Sequence, residues 1–201
     1  MSKKEELDKL KSEMEKDDNL PLKTSETNLV FGVGNPETKI LFCGEGPGYW
    51  ENLKEEPFVG NAGKLLDNLL ESINLPRSEV YITNVVHHRP PENRDPLPKE
   101  ILAYGKYLDE IIKIINPKAI VTLGRFSMGK FLPGAKISGV HGKMFDAVWN
   151  SKSITIVPMY HPAAALRSGA VMEQIKNDFL KLPSYLKEIE SKIEVEQTQL
   201  F

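Results

Sequence analysis

Cysteine is almost missing from this chain: Cys43 is the only one in 201 residues. A single thiol cannot form an internal disulfide, and so few thiols fit a reducing compartment. Long apolar runs are missing as well, since none approaches the roughly 20 residues of a membrane span. The opening stretch MSKKEELDKLKSEMEK lacks the apolar core of a secretory signal, so the expectation is a cytoplasmic protein. Internal repeats and low-complexity runs are also absent. A strong charge of either sign is lacking too, at a net of −2.

That near-neutral balance hides an uneven distribution. Residues 1–18 carry 5 Lys against 7 acidic residues, and residues 188–201 carry 1 Lys against 4 Glu. The stretch from Arg89 to Arg167 holds 12 basic and 6 acidic residues. Phosphate binding needs a local basic face and not a basic whole, so the composition permits a nucleic-acid partner. Hydrophobic residues at 40% and charged residues at 27% are ordinary for a globular protein of one generous domain.

What is present is organised around Lys39–Gly63, KILFCGEGPGYWENLKEEPFVGNAG. The apolar run Ile40-Leu41-Phe42-Cys43 reads as a buried strand. It breaks into Gly44-Glu45-Gly46-Pro47-Gly48, a turn whose glycines let a ligand approach the main chain. Two carboxylates, Glu45 and Glu51, and one ring, Phe58, sit on this loop before a helix starting near Asn61. Leu65, Leu66, Leu69, Leu70 and Ile73 give that helix a core face.

The remaining elements alternate. Residues 2–17 read as a helix with Leu7, Leu10 and Met14 on one stripe, followed by irregular chain and a turn-rich Phe31–Pro36. Val80–Val86 is a second strand, ending in His87-His88-Arg89. Arg89–Pro98 carries four prolines in nine residues from Pro90 and holds a stiff loop. Lys99–Asn116 is an amphipathic helix and Ala119–Leu123 a third strand, with a helix from about Phe126. A β-rich detour over Ile137–Trp149 leads to a fourth main strand, Ile154–Val157, and a last helix over about Ala170–Leu186. Strands alternating with helices predict a parallel sheet covered on both faces. Its strand ends would bring Glu45, Asn84 and His161 to one rim with Phe58, a set suited to a planar heterocycle.

At these residues the chain resembles the uracil-DNA glycosylase superfamily, family 4 most closely. The matching pieces are GEGPG (44–48), PFVG-x-AG (57–63), YITNVV (81–86), RPPENRDP (89–96), LGR (123–125), HG (141–142) and YHPAAALR (160–167). The resemblance implies a three-layer α/β/α sandwich with a central four-stranded parallel sheet. The corresponding layout is one glycosylase-like domain over residues 1–187, its N-terminal helix within residues 1–18, and a flexible tail over 188–201. It implies a monofunctional enzyme that flips uracil from DNA and hydrolyses its N-glycosidic bond, acting as a monomer. Glu45, Asn84 and His161 would be catalytic, and Gly46, Glu51, Phe58 and Asn84 would bind the base, with Glu51 crowding C5. Arg89, Pro90, Pro91, Arg94, Leu166 and Arg167 would contact DNA. Glycosylases of other deaminated bases, hypoxanthine or xanthine, and a non-catalytic uracil-DNA binder are the alternatives.

Three departures stand out. The family's [4Fe–4S] cluster uses four cysteines, and those positions fall near Asp17, Leu20, His88 and Tyr104. None is a thiolate, so the expectation is a protein without cofactor or metal, packed by side chains instead. Glu55 stands where the family usually has Gly, and Asn52 where it often has Asp. Apart from these, Gln197-Thr198-Gln199-Leu200-Phe201 resembles the short motif that docks repair proteins on a bacterial sliding clamp, with Gln197, Leu200 and Phe201 as the contacts.

Overall fold

A computed structural model describes residues 1–198, with side chains described through Ser191. The clamp-like Leu200 and Phe201 and the side chain of Gln197 lie outside the described residues. In chain order the elements are α1 (Lys3–Glu15), β1 (Val33–Gly34), β2 (Ile40–Gly44), α2 (Tyr49–Lys54), α3 (Asn61–Ser72), β3 (Tyr81–Asn84) and α4 (Pro98–Ile115). They continue with β4 (Ala119–Leu123), α5 (Arg125–Phe131), α6 (Ile137–Val140), β5 (Phe145–Trp149), β6 (Lys152–Met159), α7 (Pro162–Ala165) and α8 (Gly169–Thr198).

The strands form one mixed sheet of six in the order β1-β3-β2-β4-β6-β5. Neighbours from β3 through β6 pair in parallel. Both edge strands pair antiparallel, β1 on β3 and β5 on β6. The four-strand expectation therefore undercounts the sheet. β1 is two residues inside the turn-rich Phe31–Pro36, and β5 lies in the detour, whose first part is the short helix α6 rather than strand.

Alternation along the strands divides the core in two, because successive side chains point to opposite faces. Leu41, Cys43, Ile120 and Ile156 pack with Leu7, Met14, Leu108 and Ile111 of α1 and α4. Ile40, Phe42, Val121 and Val157 pack with Leu66, Leu70, Ile175 and Phe179 of α3 and α8. Phe42 and Phe179 stack at 6.2 Å, tying α8 to the sheet centre. This helix runs well past Leu186, since Ile189 is buried and Glu190 pairs with Lys39 at 2.8 Å.

The parallel register has one functional consequence. Gly44 lies beside Asn84 and Leu123 beside Met159, so the loops after β2, β3, β4 and β6 leave from one edge. Ligands in such sheets bind outside the carboxyl ends of the strands.

Candidate active site

Those four loops enclose a cleft of about 580 Å³, within the usual range for small-ligand sites. Glu45, Gly46, Glu51, Phe58, Asn84, Pro90, Arg94, His161 and Arg167 all line it. Arg89, Pro91 and Leu166 do not, although Leu166 stands half-exposed beside Arg167.

Asn84 ends β3 and is 1% exposed. Its Oδ1 is buried and has no hydrogen-bond partner among the described residues. Such an orphan is costly unless something arrives to satisfy it, and a ligand N–H would. The opposite residue has to be glycine: a Cβ on Gly44 would run into Asn84 Oδ1 and the Phe58 ring. Absence of that one atom lets the ring and the amide approach each other.

Phe58 takes φ 55°, a left-handed conformation that L-residues rarely adopt. Neighbouring contacts hold it there. Oε1 of Glu51 accepts from the N–H groups of Val59 (3.0 Å) and Gly60 (2.8 Å). On the other side the Arg77 guanidinium donates to the Pro57 carbonyl and pairs with Asp67 at 3.0 Å. Glu51 thus has a structural task that the sequence did not disclose. Glu55 closes α2 at φ 58°, where glycine would sit without strain.

His161 caps α7, its Nδ1 accepting from Ala163 N–H at 3.1 Å. That bond places the imidazole proton on Nε2. Burial pushes the pKa of His161 down to about 4, Arg167 pushes the same way, and Glu51 only partly opposes them. The ring is therefore a neutral donor at neutral pH. It stacks on Phe58 with centroids 5.5 Å apart.

Glu45 receives Phe126 N–H at Oε1, 3.0 Å away. Gly124, at φ 103°, leaves room for it, because a Cβ there would strike the carboxylate. Burial raises the Glu45 pKa above the ordinary carboxylate range, with a further push from Asp95. Phe126 N–H and Arg125 partly oppose this.

Arg94 lines the cleft and also has a partner within the chain. Its guanidinium grips the buried Glu100 carboxylate with two bonds, 2.8 and 2.6 Å. Glu100 also accepts from Leu97 N–H, so the pair ties the proline loop to α4. Arg89 braces the same loop through Asn93 at 2.7 Å. Arg125 and Tyr160 line the cleft too, inside the quoted LGR and YHPAAALR motifs, yet neither was singled out.

A sequence profile described as the uracil DNA glycosylase superfamily matches residues 31–186. The chain belongs to this superfamily. It is 45% identical over 166 residues to a type-4 uracil-DNA glycosylase of Archaeoglobus fulgidus, covering 80% of this chain and 83% of that protein. It is 44% identical over 184 residues to one of Sulfurisphaera tokodaii, covering 88% and 83%. A third, from Thermotoga maritima, is 42% identical over 171 residues, covering 83% and 88%.

Within this superfamily the positions inferred for an iron–sulfur cluster carry a different chemistry. Asp17 is paired with Lys106 at 2.7 Å and accepts from Tyr107 at 2.8 Å, and Lys106 holds its carboxyl well below the usual range. Leu20 is buried apolar surface. The Tyr104 hydroxyl meets His88 Nδ1 at 2.8 Å and the backbone of Leu22. Burial lowers the His88 pKa to about 4. A set of one paired carboxylate, one leucine, one tyrosine and one bonded imidazole does not fit an iron–sulfur cluster. Among the described residues no group of three or more His, Cys, Asp or Glu side chains is placed to hold a metal.

Tyr104 is fully buried and links the Leu20–Leu22 segment, the loop after β3 and α4. Tyr104→Ala is expected to cost about 3–5 kcal/mol, and Tyr104→Phe only about 1 kcal/mol. Urea unfolding midpoints check this. A near-neutral Tyr104→Ala, or about four irons per chain on metal analysis, would contradict the side-chain staple.

Proposed function

We propose that this protein is a uracil-DNA glycosylase that hydrolyses the bond between uracil and deoxyribose. The observation that carries this reading is the pairing of a neutral imidazole donor with an Asn84 Oδ1 that has no partner among the described residues, in one cleft beside the Phe58 ring. Uracil supplies the complement: a flat face for Phe58, an N–H for Asn84 Oδ1 and a carbonyl oxygen for His161 Nε2–H. Glu51 faces the base near C5 and works against thymine.

A base inside a duplex is out of reach, so it must be flipped, at a cost of a few kcal/mol. As the glycosidic bond breaks, uracil gains negative charge and the sugar becomes oxocarbenium-like. His161 is fixed before the reaction and donates where the charge develops. The Glu45 carboxylate, held at Oε1, offsets positive charge on the sugar or orders the attacking water, and both tasks need its ionised form. No lysine is among the described residues lining the cleft, which favours simple hydrolysis over amine attack on the sugar.

On this reading the four mutually parallel strands are the centre of a three-layer α/β/α scaffold. One domain spans residues 1–187, and a C-terminal segment carries the Gln197, Leu200 and Phe201 clamp contacts. The protein acts as a cytoplasmic monomer. Pro90 and Pro91 press on the DNA backbone, Leu166 enters the space left by the flipped base, and Arg89 and Arg167 meet phosphates. Arg94 braces the proline loop through Glu100.

Incubating oligonucleotides that carry uracil, hypoxanthine, xanthine or thymine, then treating with alkali, tests the reading. Strand scission at uracil alone is expected. Scission only at a purine position would transfer the activity to another deaminated base, and none at all would remove it. Binding should also weaken steeply as salt rises, with the log–log slope falling by about 0.9 for each of Arg89→Ala and Arg167→Ala. An affinity indifferent to salt would count against a DNA substrate.

A further inference from the structure

α2 is fastened by two inward side chains. Glu51 holds the Val59–Gly60 backbone, and Asn52 accepts twice from Asn28, whose N–H donates to Asn52 Oδ1 at 2.8 Å and whose side-chain amide donates to the Asn52 carbonyl at 2.9 Å. The two residues just before them point outward. Tyr49 and Trp50 are each 53% exposed, in an edge-to-face pair with centroids 5.2 Å apart. Two large rings are therefore half-exposed to water side by side. The Arg89 guanidinium lies 5.3 Å over the Tyr49 ring.

Their position is what gives the rings a purpose. Gly48 and Glu51, on either side of the pair in sequence, line the cleft, so the rings stand on its rim. A strand with one base in the cleft must leave across a rim. There it would meet a cation for its phosphate and aromatic faces for its next base.

We propose that Tyr49 and Trp50 form a stacking platform for an unpaired DNA base adjoining the flipped uracil, and so favour single-stranded substrate. This rests on the glycosylase reading for what fills the cleft. In a duplex the neighbouring bases already stack on each other and their faces are covered. In a single strand those faces are free, and aromatic platforms bind them with little regard to sequence.

Two measurements test this. Tyr49→Ala/Trp50→Ala should lower kcat/KM on a single-stranded uracil oligonucleotide by about 5- to 150-fold, the usual weight of one stacked base. The saturated single-turnover rate should hold, and the loss on a duplex should be under about threefold. Tyr49→Phe/Trp50→Phe should retain the wild-type rate, which separates stacking from misfolding. Replacing the bases that flank uracil with abasic spacers should slow the wild type by the same factor and the alanine variant no further. Equal losses on both substrates, or additive losses with the spacers, would overturn the platform.

The second readout does not depend on activity. Trp50 and Trp149 are the only tryptophans, so the difference between wild type and Trp50→Phe isolates Trp50 emission. A single strand with a central abasic analogue should quench it saturably, and the same strand in a duplex should quench it less. If uracil is never released, the glycosylase reading fails and this readout decides the platform alone. Absence of quenching by the single strand would then overturn it.

Discussion

His161→Ala is expected to slow single-turnover uracil release by about 100- to 1000-fold, the usual effect of deleting one preorganised donor at a developing anion, roughly 2.7–4 kcal/mol. The Ala163 N–H bond occupies Nδ1 and leaves Nε2 as the donor. Burial lowers the pKa to about 4, so the donor is neutral across the working range. The same substitution removes a helix cap, a change of about 1 kcal/mol in stability. A small shift in the melting midpoint with a large fall in rate is therefore the expected signature. Asn84→Ala should behave alike, because its Oδ1 has no partner among the described residues. Near-normal rates in both variants would remove the site assignment.

Glu45→Gln should slow release by about 10²- to 10⁴-fold, the span usual for a positioned acid or base. Its pH profile carries the sharper test. Burial raises the Glu45 pKa, so the carboxylate is lost, as pH falls, above the roughly 4.3 of a free glutamate. Because the ionised form is the active one, the wild-type rate should decline through that window. His161 charges only near pH 4 and so adds nothing until lower pH. Glutamine cannot titrate, and the variant should be flat there. The same acid limb in Glu45→Gln would show that another group governs it.

How much of this was legible before folding varied with the kind of signal. Runs such as Ile40–Cys43 and Ala119–Leu123 announced their strands because parallel, doubly covered strands are apolar on both faces. Convergence of Glu45, Asn84 and His161 followed from strand direction alone. β1 and α2 escaped because two residues, or six between a glycine-rich turn and a proline, are too short for periodicity to register. α8 was cut short because Glu188–Thr198 is mostly polar, while its anchors, Ile189 and the Lys39–Glu190 pair, are tertiary. The Arg94–Glu100 pair was hidden because a loop cation shows no partner in sequence. Only the fold brings Glu100 to it. The task of Glu51 in pinning the Phe58 loop was hidden for the same reason.

The most direct test of the central claim is a product analysis after one turnover on a uracil-containing strand. Free uracil is expected in equal amount to an abasic strand whose backbone is intact until alkali is added. A strand recovered with uracil still attached, whether free, bound or covalently joined to the protein, would contradict it.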